Sequence, residues 1–143
     1  MKLKPGDAIT LNSLGIAYLK KGLPDKAIEQ YQSAVQSSPG SVESRLLLGD
    51  AFFNKGLLDK AIEQYQSAVE LQPNNAVAHF NLGVAYTRKG LIGKAGTQLE
   101  AAARISPDDQ RFQKGLKAFN EYRTAVERKE GRHQQKSPLL NKN

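Results

Sequence analysis

The chain has no cysteine, only two histidines among its 143 residues, and no long apolar run. The missing cysteines exclude disulfide bonds and cysteine-ligated metal. No stretch approaches the roughly 20 apolar residues that a membrane-spanning helix needs. No apolar run follows the basic residues of the N-terminal sequence MKLKPGDAIT, so we expect no signal peptide. We predict a soluble, cytoplasmic protein.

Residues for catalysis are also scarce. Neither His79 nor His133 has a catalytic or metal-binding neighbour at a recognisable spacing. Glu29 and Glu63 lie in a duplicated segment, where an exposed helix face accounts for them. We therefore predict a protein that is not an enzyme, with no catalytic residue, no metal site and no cofactor.

Positive charge is concentrated at the C-terminus. Residues 1–109 hold 12 Lys or Arg against 11 Asp or Glu, whereas residues 110–143 hold 9 against 3. The formal net charge of +7 therefore belongs mostly to the last quarter of the chain. Any electrostatic attraction to an anionic partner is expected there.

The sequence repeats itself every 34 residues. The segment DKAIEQYQSAV occupies residues 25–35 and again 59–69, and a diverged third copy, KGLIGKAGTQLEAAA, occupies 89–103. Before the copies come LGIAY, LGDAF and LGVAY, and after them come Pro39, Pro73 and Pro107. Three periods of one unit predict a stacked array, because a single unit cannot bury its apolar face alone.

Each period has the apolar spacing of two short helices, with steps of three and four residues. Gly22, Gly56 and Gly90 are expected to end the first helix of each pair. Asp25 and Asp59 place a carboxylate near the N-terminus of the second helix.

Glycines inside the first helices predict a close approach to the second. Glycine costs about 1 kcal/mol relative to alanine in a helix, so a packing requirement should offset that loss. We expect Gly15, Gly49 and Gly83 to form notches that receive Ala27, Ala61 and Ala95, with tyrosines filling the wider gaps.

The pattern Leu-Gly-x-x-Tyr, Ala-x-x-x-Tyr and Pro at a period of 34 resembles the tetratricopeptide repeat. The family's usual tryptophan near the start of each repeat is replaced here by Leu11, Arg45 and His79. The resemblance implies an all-α, right-handed superhelical solenoid of three antiparallel helix pairs, followed by a capping helix.

The repeat divides the chain as follows: a lead-in or end of a preceding repeat at 1–7, repeats at 8–41, 42–75 and 76–109, an amphipathic capping helix at 110–130, and a disordered basic tail at 131–143. Residues 2–8 align with 70–76 at a repeat junction. We therefore expect the chain to be a fragment of a longer array.

In the family, the first helices line a concave groove that receives a peptide or a partner helix. The matching positions here are Ile9, Asn12, Ile16, Leu19, Glu43, Leu46, Asp50, Phe53, Asn54, Val77, Phe80, Asn81, Val84, Thr87 and Arg88. Some relatives clamp an acidic C-terminal peptide with lysine, arginine and asparagine. The corresponding positions here, Asn12, Ile16, Leu47, Val77 and Asn81, carry no basic residue.

Three functions follow from these observations. The first is a protein–protein interaction scaffold that binds a partly apolar peptide or helix in the groove. The second is a self-assembly module that forms a homo-oligomer or part of a longer array. The third, which the pattern disfavours, is binding of nucleic acid or an anionic membrane through residues 110–143, because this segment offers no aromatic platform for bases.

Overall fold

The computed structural model describes residues 6–135, which form seven α-helices and no strand. The helices are α1 (Ala8–Lys20), α2 (Pro24–Ser37), α3 (Val42–Asn54), α4 (Leu58–Leu71), α5 (Ala76–Lys89), α6 (Ile92–Ile105) and α7 (Gln110–Gln135). They pack as three pairs, α1 with α2, α3 with α4 and α5 with α6, each pair contacts the next, and α7 packs against α6. The predicted fold is confirmed. Because α1 contacts α3 and α3 contacts α5, the first helices of the three repeats lie side by side.

The caps of the first helices repeat with the sequence. Each first helix begins after a residue whose side chain accepts a hydrogen bond from the backbone N–H three positions later. These residues are Asp7, Ser41 and Asn75, and the distances are 2.7, 3.2 and 2.9 Å. Such caps satisfy backbone N–H groups that have no partner within the helix. The predicted ends of α1, α3 and α5 are also confirmed, since Gly22, Gly56 and Gly90 have φ of +73°, +77° and +82°.

The glycine notches are present, but the predicted alanines do not fill them. A Cβ at Gly15 would lie 2.4 Å from a Tyr31 ring carbon, and one at Gly49 would lie 2.5 Å from the Tyr65 ring. At Gly83 the nearest side chain is Leu99. The alanines are buried elsewhere in the core. Sequence reasoning missed this because it paired small residues with small ones, whereas the notch lets a large ring lie against the helix backbone.

Ion pairs join the second helix of one repeat to the C-terminal end of the first helix of the next repeat. Lys55 pairs with Asp25, and Lys89 pairs with Asp59. Both carboxylates lie in the first turn of a second helix, as predicted. These pairs are exposed, and exposed pairs contribute little stability.

Helix α7 takes the place of the first helix of a fourth repeat. Phe112 follows Ala78 by one period and contacts Phe80 of α5, with the ring centroids 5.2 Å apart. Lys117 stands one period after the notch glycine Gly83, so α7 has no notch for a further helix. The predicted end at residue 130 is wrong, because the helix runs to Gln135 and includes five residues predicted to be disordered. The rest of that tail, 136–143, and residues 1–5 of the lead-in lie outside the described residues.

Candidate binding groove

The predicted groove residues lie on α1, α3 and α5, but they are not equally accessible. The exposed ones are Ile9, Ile16, Leu19, Glu43, Asp50, Asn54, Val77 and Arg88. The half-buried ones are Leu46, Phe53, Phe80, Asn81, Val84 and Thr87. Asn12 is buried, with 4% of its surface exposed.

Asn12 packs between the first and second repeats. Its prediction as a lining residue of the groove is therefore wrong. Its amide Nδ2 donates a hydrogen bond to Ser44 Oγ at 3.0 Å, linking α1 to α3. One period later Leu46 packs on Val42, Ala68 and Ala78, and after another period Phe80 packs on Phe112. The family pattern marked this register as lining, but each of these side chains also packs against the first helix of the next repeat or, for Phe80, against α7.

Some of the predicted lining residues come together in the C-terminal half of the groove, whereas Ile9, Ile16 and Leu19 of α1 lie apart from them. A cavity of about 340 Å³ opens between α3, α5, α6 and α7. Its walls are almost entirely apolar, and they consist of Phe53, Phe80, Val84, Thr87, Arg88, Leu99, Gly115, Ala118, Phe119 and Tyr122. Five of these ten residues were predicted. The four from α7 were missed because the prediction treated α7 only as a cap. The helical spacing of Phe112, Phe119 and Tyr122 in the sequence was a signal that an apolar face of this helix packs here.

A smaller hollow of about 170 Å³ adjoins this cavity and carries the polar groups. It is lined by Asp50, Phe53, Tyr65, Phe80, Asn81 and Val84. The two hollows share Phe53, Phe80 and Val84, which therefore form a common apolar floor.

Asp50 is the centre of a hydrogen-bonded cluster in the smaller hollow. Its Oδ1 accepts a hydrogen bond from Tyr65 Oη at 2.6 Å and one from Asn81 Nδ2 at 3.1 Å. Although Asp50 is exposed at the surface of the hollow, partial removal of its carboxyl from water raises the pKa above its usual value, and the Tyr65 hydrogen bond opposes this. Burial together with the neighbouring Asp50 also raises the pKa of Tyr65. Tyr65 was predicted only as a packing residue.

Arg88 borders the larger cavity. Its guanidinium lies over the Phe53 ring, 4.9 Å from the centroid, which is a favourable cation–π arrangement. None of the ion pairs found within residues 6–135 involves Arg88. Its N–H groups are therefore available to an acidic ligand.

The remaining candidate sites have structural explanations. His79 bonds through Nδ1 to Gln98 Oε1 and through Nε2 to the Pro73 carbonyl oxygen, both at 2.7 Å. No group of acidic or histidine side chains in the described part of the chain could hold a metal ion. Every helix between residues 6 and 135 is too short or too polar to cross a membrane.

Comparison with protein-family models finds tetratricopeptide repeats at residues 18–67, 49–90 and 76–109, which together span 18–109. The chain belongs to the tetratricopeptide repeat family. The resemblance inferred from the 34-residue period is thus confirmed. A search of curated protein sequences finds no match.

Solved tetratricopeptide repeat structures share this fold. MamA is 28% identical over 92% of this chain and 83% of its own, with a TM-score of 0.76. YrrB, described as a protein with an unusual peptide-binding site, is 31% identical over 78% of this chain with a TM-score of 0.72, and the match spans 57% of YrrB. The first repeat domain of Spaghetti, bound to the HSP90 peptide SRMEEVD, is 20% identical over 85% of this chain and 97% of its own, with a TM-score of 0.78.

Proposed function

We propose that this protein is a protein-interaction scaffold that binds a partly apolar peptide or helix in its concave groove. The observation that carries this proposal is the apolar cavity of about 340 Å³ between α3, α5 and α7, continuous with the hollow at Asp50. Ligand sites are typically concave and mostly apolar, with a few polar groups that fix orientation. This cavity has that composition. The exposed Ile9, Ile16 and Leu19 add apolar surface on α1 of the first repeat, and the exposed Val77 adds it on α5.

The solved relatives support a peptide ligand without identifying it. Spaghetti binds an acidic HSP90 peptide and YrrB is described by its peptide-binding site. In this chain Ile16, Leu47 and Val77 occupy positions where a clamp for an acidic C-terminus would need basic residues. We therefore propose that apolar burial, at roughly 25 cal/mol per Å² removed from water, supplies most of the affinity.

Selection of peptides from a random phage-displayed library tests the proposal. A selected peptide is titrated against the wild type, Val84→Glu in the cavity floor, and the matched control Leu71→Glu at the exposed end of α4. We expect Val84→Glu to weaken binding by at least about tenfold, or about 1.4 kcal/mol, and Leu71→Glu to leave it unchanged. Equal affinity of the wild type and both variants, with folding verified by circular dichroism, would contradict groove binding.

Self-assembly is a second candidate, favoured by one observation at α1. Leu14 is 41% exposed, whereas its counterparts Leu48 and Leu82 are 3% and 2% exposed, since the preceding repeat covers them. We propose as this alternative that a second copy covers Leu14. Sedimentation of the wild type over a concentration series should then show a dimer that Leu14→Glu abolishes, and a monomer at all concentrations would exclude it.

The predictions of a cytoplasmic location and of no enzymatic activity stay predictions.

A further inference from the structure

Helix α7 forms one wall of the groove in addition to covering the last repeat. Ala118 and Tyr122 are exposed, and both face the larger cavity. Gly115 allows this position, because a Cβ there would lie 2.4 Å from Phe80 Cε2. The sequence of α7 therefore brings its backbone against the cavity floor, and any ligand that fills the cavity also contacts α7.

Charges of opposite sign flank the apolar floor. Asp50 lines only the smaller hollow, and Arg88 lines only the larger one. Both hollows contain Phe53, Phe80 and Val84, and the Arg88 guanidinium lies over the Phe53 ring in the larger one. A bound segment that covers the floor thus meets a carboxylate on one side and a guanidinium on the other.

The hydrogen bonds of Asp50 leave part of its carboxylate for a ligand. Its Oδ1 accepts both hydrogen bonds of the cluster, while Oδ2 accepts none from residues 6–135. An apolar ligand over this hollow would remove the carboxylate from water without a compensating charge, which is unfavourable. A cationic group of the ligand would instead donate a hydrogen bond to Asp50 Oδ2 and balance its charge. Arg88 similarly suits a carboxylate of the ligand, because its guanidinium can donate to both carboxylate oxygens at once.

We propose that the ligand is a peptide segment in which one large apolar side chain is flanked by a basic residue on one side and an acidic residue on the other, and that α7 forms a wall of its site. This inference rests on the proposed function, since it names the class of peptide that the groove takes. The apolar side chain fills the cavity against Ala118 and Tyr122. The basic residue pairs with Asp50 and the acidic residue with Arg88.

Defined synthetic peptides test the charge pattern. The probes carry a central leucine or phenylalanine with Lys and Glu on opposite sides, in both sequence orders, and the controls replace the charged residues with Gln, one at a time and together. We expect one order of the bipolar peptide to bind about tenfold more tightly than the Gln control, which corresponds to about 1.4 kcal/mol. In Arg88→Glu the Glu of the peptide should no longer strengthen binding. In Asp50→Asn the Lys of the peptide should no longer strengthen binding. Equal binding of the bipolar and Gln peptides by the wild type would overturn the charge assignment.

Two alanines of the same helix test the wall. Ala118 lines the cavity, whereas Ala125, also exposed on α7, lies outside the residues that line it. We expect Ala118→Glu to weaken peptide binding at least about tenfold and Ala125→Glu to leave it unchanged.

The outcomes also separate this inference from the proposed function. Loss of binding in Val84→Glu but not in Ala118→Glu would overturn the role of α7 while keeping the groove. Binding unaffected by either substitution would overturn both. If the designed peptides bind too weakly to measure, a peptide selected from the phage-displayed library replaces them in these titrations. Selected sequences without a basic and an acidic residue on opposite sides of an apolar one would contradict the charge assignment.

Discussion

The rings of Phe80 and Phe112 lie 5.2 Å apart, tilted by 50°, and join the last inner helix to α7. Tilted aromatic pairs at this distance are favourable beyond the area that they bury. Asn12 and Ser44 occupy the equivalent positions two periods earlier, where a hydrogen bond takes the place of the aromatic contact. It fixes α7 at the edge of the groove, where Ala118 and Tyr122 complete the cavity.

Removing the Phe112 ring should release α7. Phe112 is buried, and truncating a buried phenylalanine to alanine costs about 3–5 kcal/mol. We expect Phe112→Ala to lower the free energy of unfolding in urea by an amount in this range and to weaken peptide binding through loss of the wall. Tyr122→Ala, at an exposed position on the same helix, should cost less than about 1 kcal/mol. Similar costs for the two variants would contradict the anchoring role of Phe112.

Filling a glycine notch should destabilise the protein although it improves helix propensity. Alanine is favoured over glycine by about 1 kcal/mol in a helix, but a Cβ at Gly49 would lie 2.5 Å from the Tyr65 ring. We expect Gly49→Ala to cost about 1–3 kcal/mol net, as overpacked cores do.

Gly93 of α6 is the control for this prediction, because a Cβ there meets no atom within 4 Å. Gly93→Ala should leave the urea midpoint unchanged or raise it. If Gly49→Ala is equally well tolerated, the notch does not determine how the helices pair.

The sequence was sufficient to predict the fold because its period is strict. The glycines that end α1, α3 and α5, and the spacing of apolar residues within each period, directly indicated three helix pairs. The groove was harder to predict because residues at the same position of different repeats have different neighbours in the structure. Asn12 is buried against Ser44, whereas Phe80 meets both a cavity and α7. The contribution of Ala118 was not predictable from the repeat, since α7 does not follow the repeat's glycine pattern.

Tyr31 and Tyr65, which fill the notches at Gly15 and Gly49, should respond differently to loss of the hydroxyl group. Tyr65 Oη donates to Asp50, and hydrogen bonds to charged groups contribute about 1.5–3 kcal/mol. Tyr31 Oη is buried without a hydrogen-bond partner among the described residues. We expect Tyr65→Phe to lower the free energy of unfolding by roughly 1–3 kcal/mol and Tyr31→Phe to leave it unchanged or raise it. The reverse order in urea unfolding would contradict the Asp50 cluster.

Alkaline pH should weaken the fold through Tyr65. Its pKa is raised in the folded state, mainly by burial, while the unfolded chain titrates near the usual pKa of about 10. The stability associated with the neutral hydroxyl is complete below that pH and falls as the pH rises above it, because only the unfolded state loses the proton. Urea unfolding of wild type between about pH 9 and 11 should show this fall, and Tyr65→Phe should reduce its slope. An equal slope in the variant would contradict the raised pKa.

The most direct test of groove binding is to map the contact surface by ¹H–¹⁵N NMR during titration with a selected peptide. The account predicts that the largest shift changes occur on α3, α5 and the segment of α7 that contains Ala118 and Tyr122, with Asn81 and Arg88 side-chain signals among them. Changes confined to the outer helices α2, α4 and α6, or to the basic residues of α7 beyond Tyr122, would contradict it.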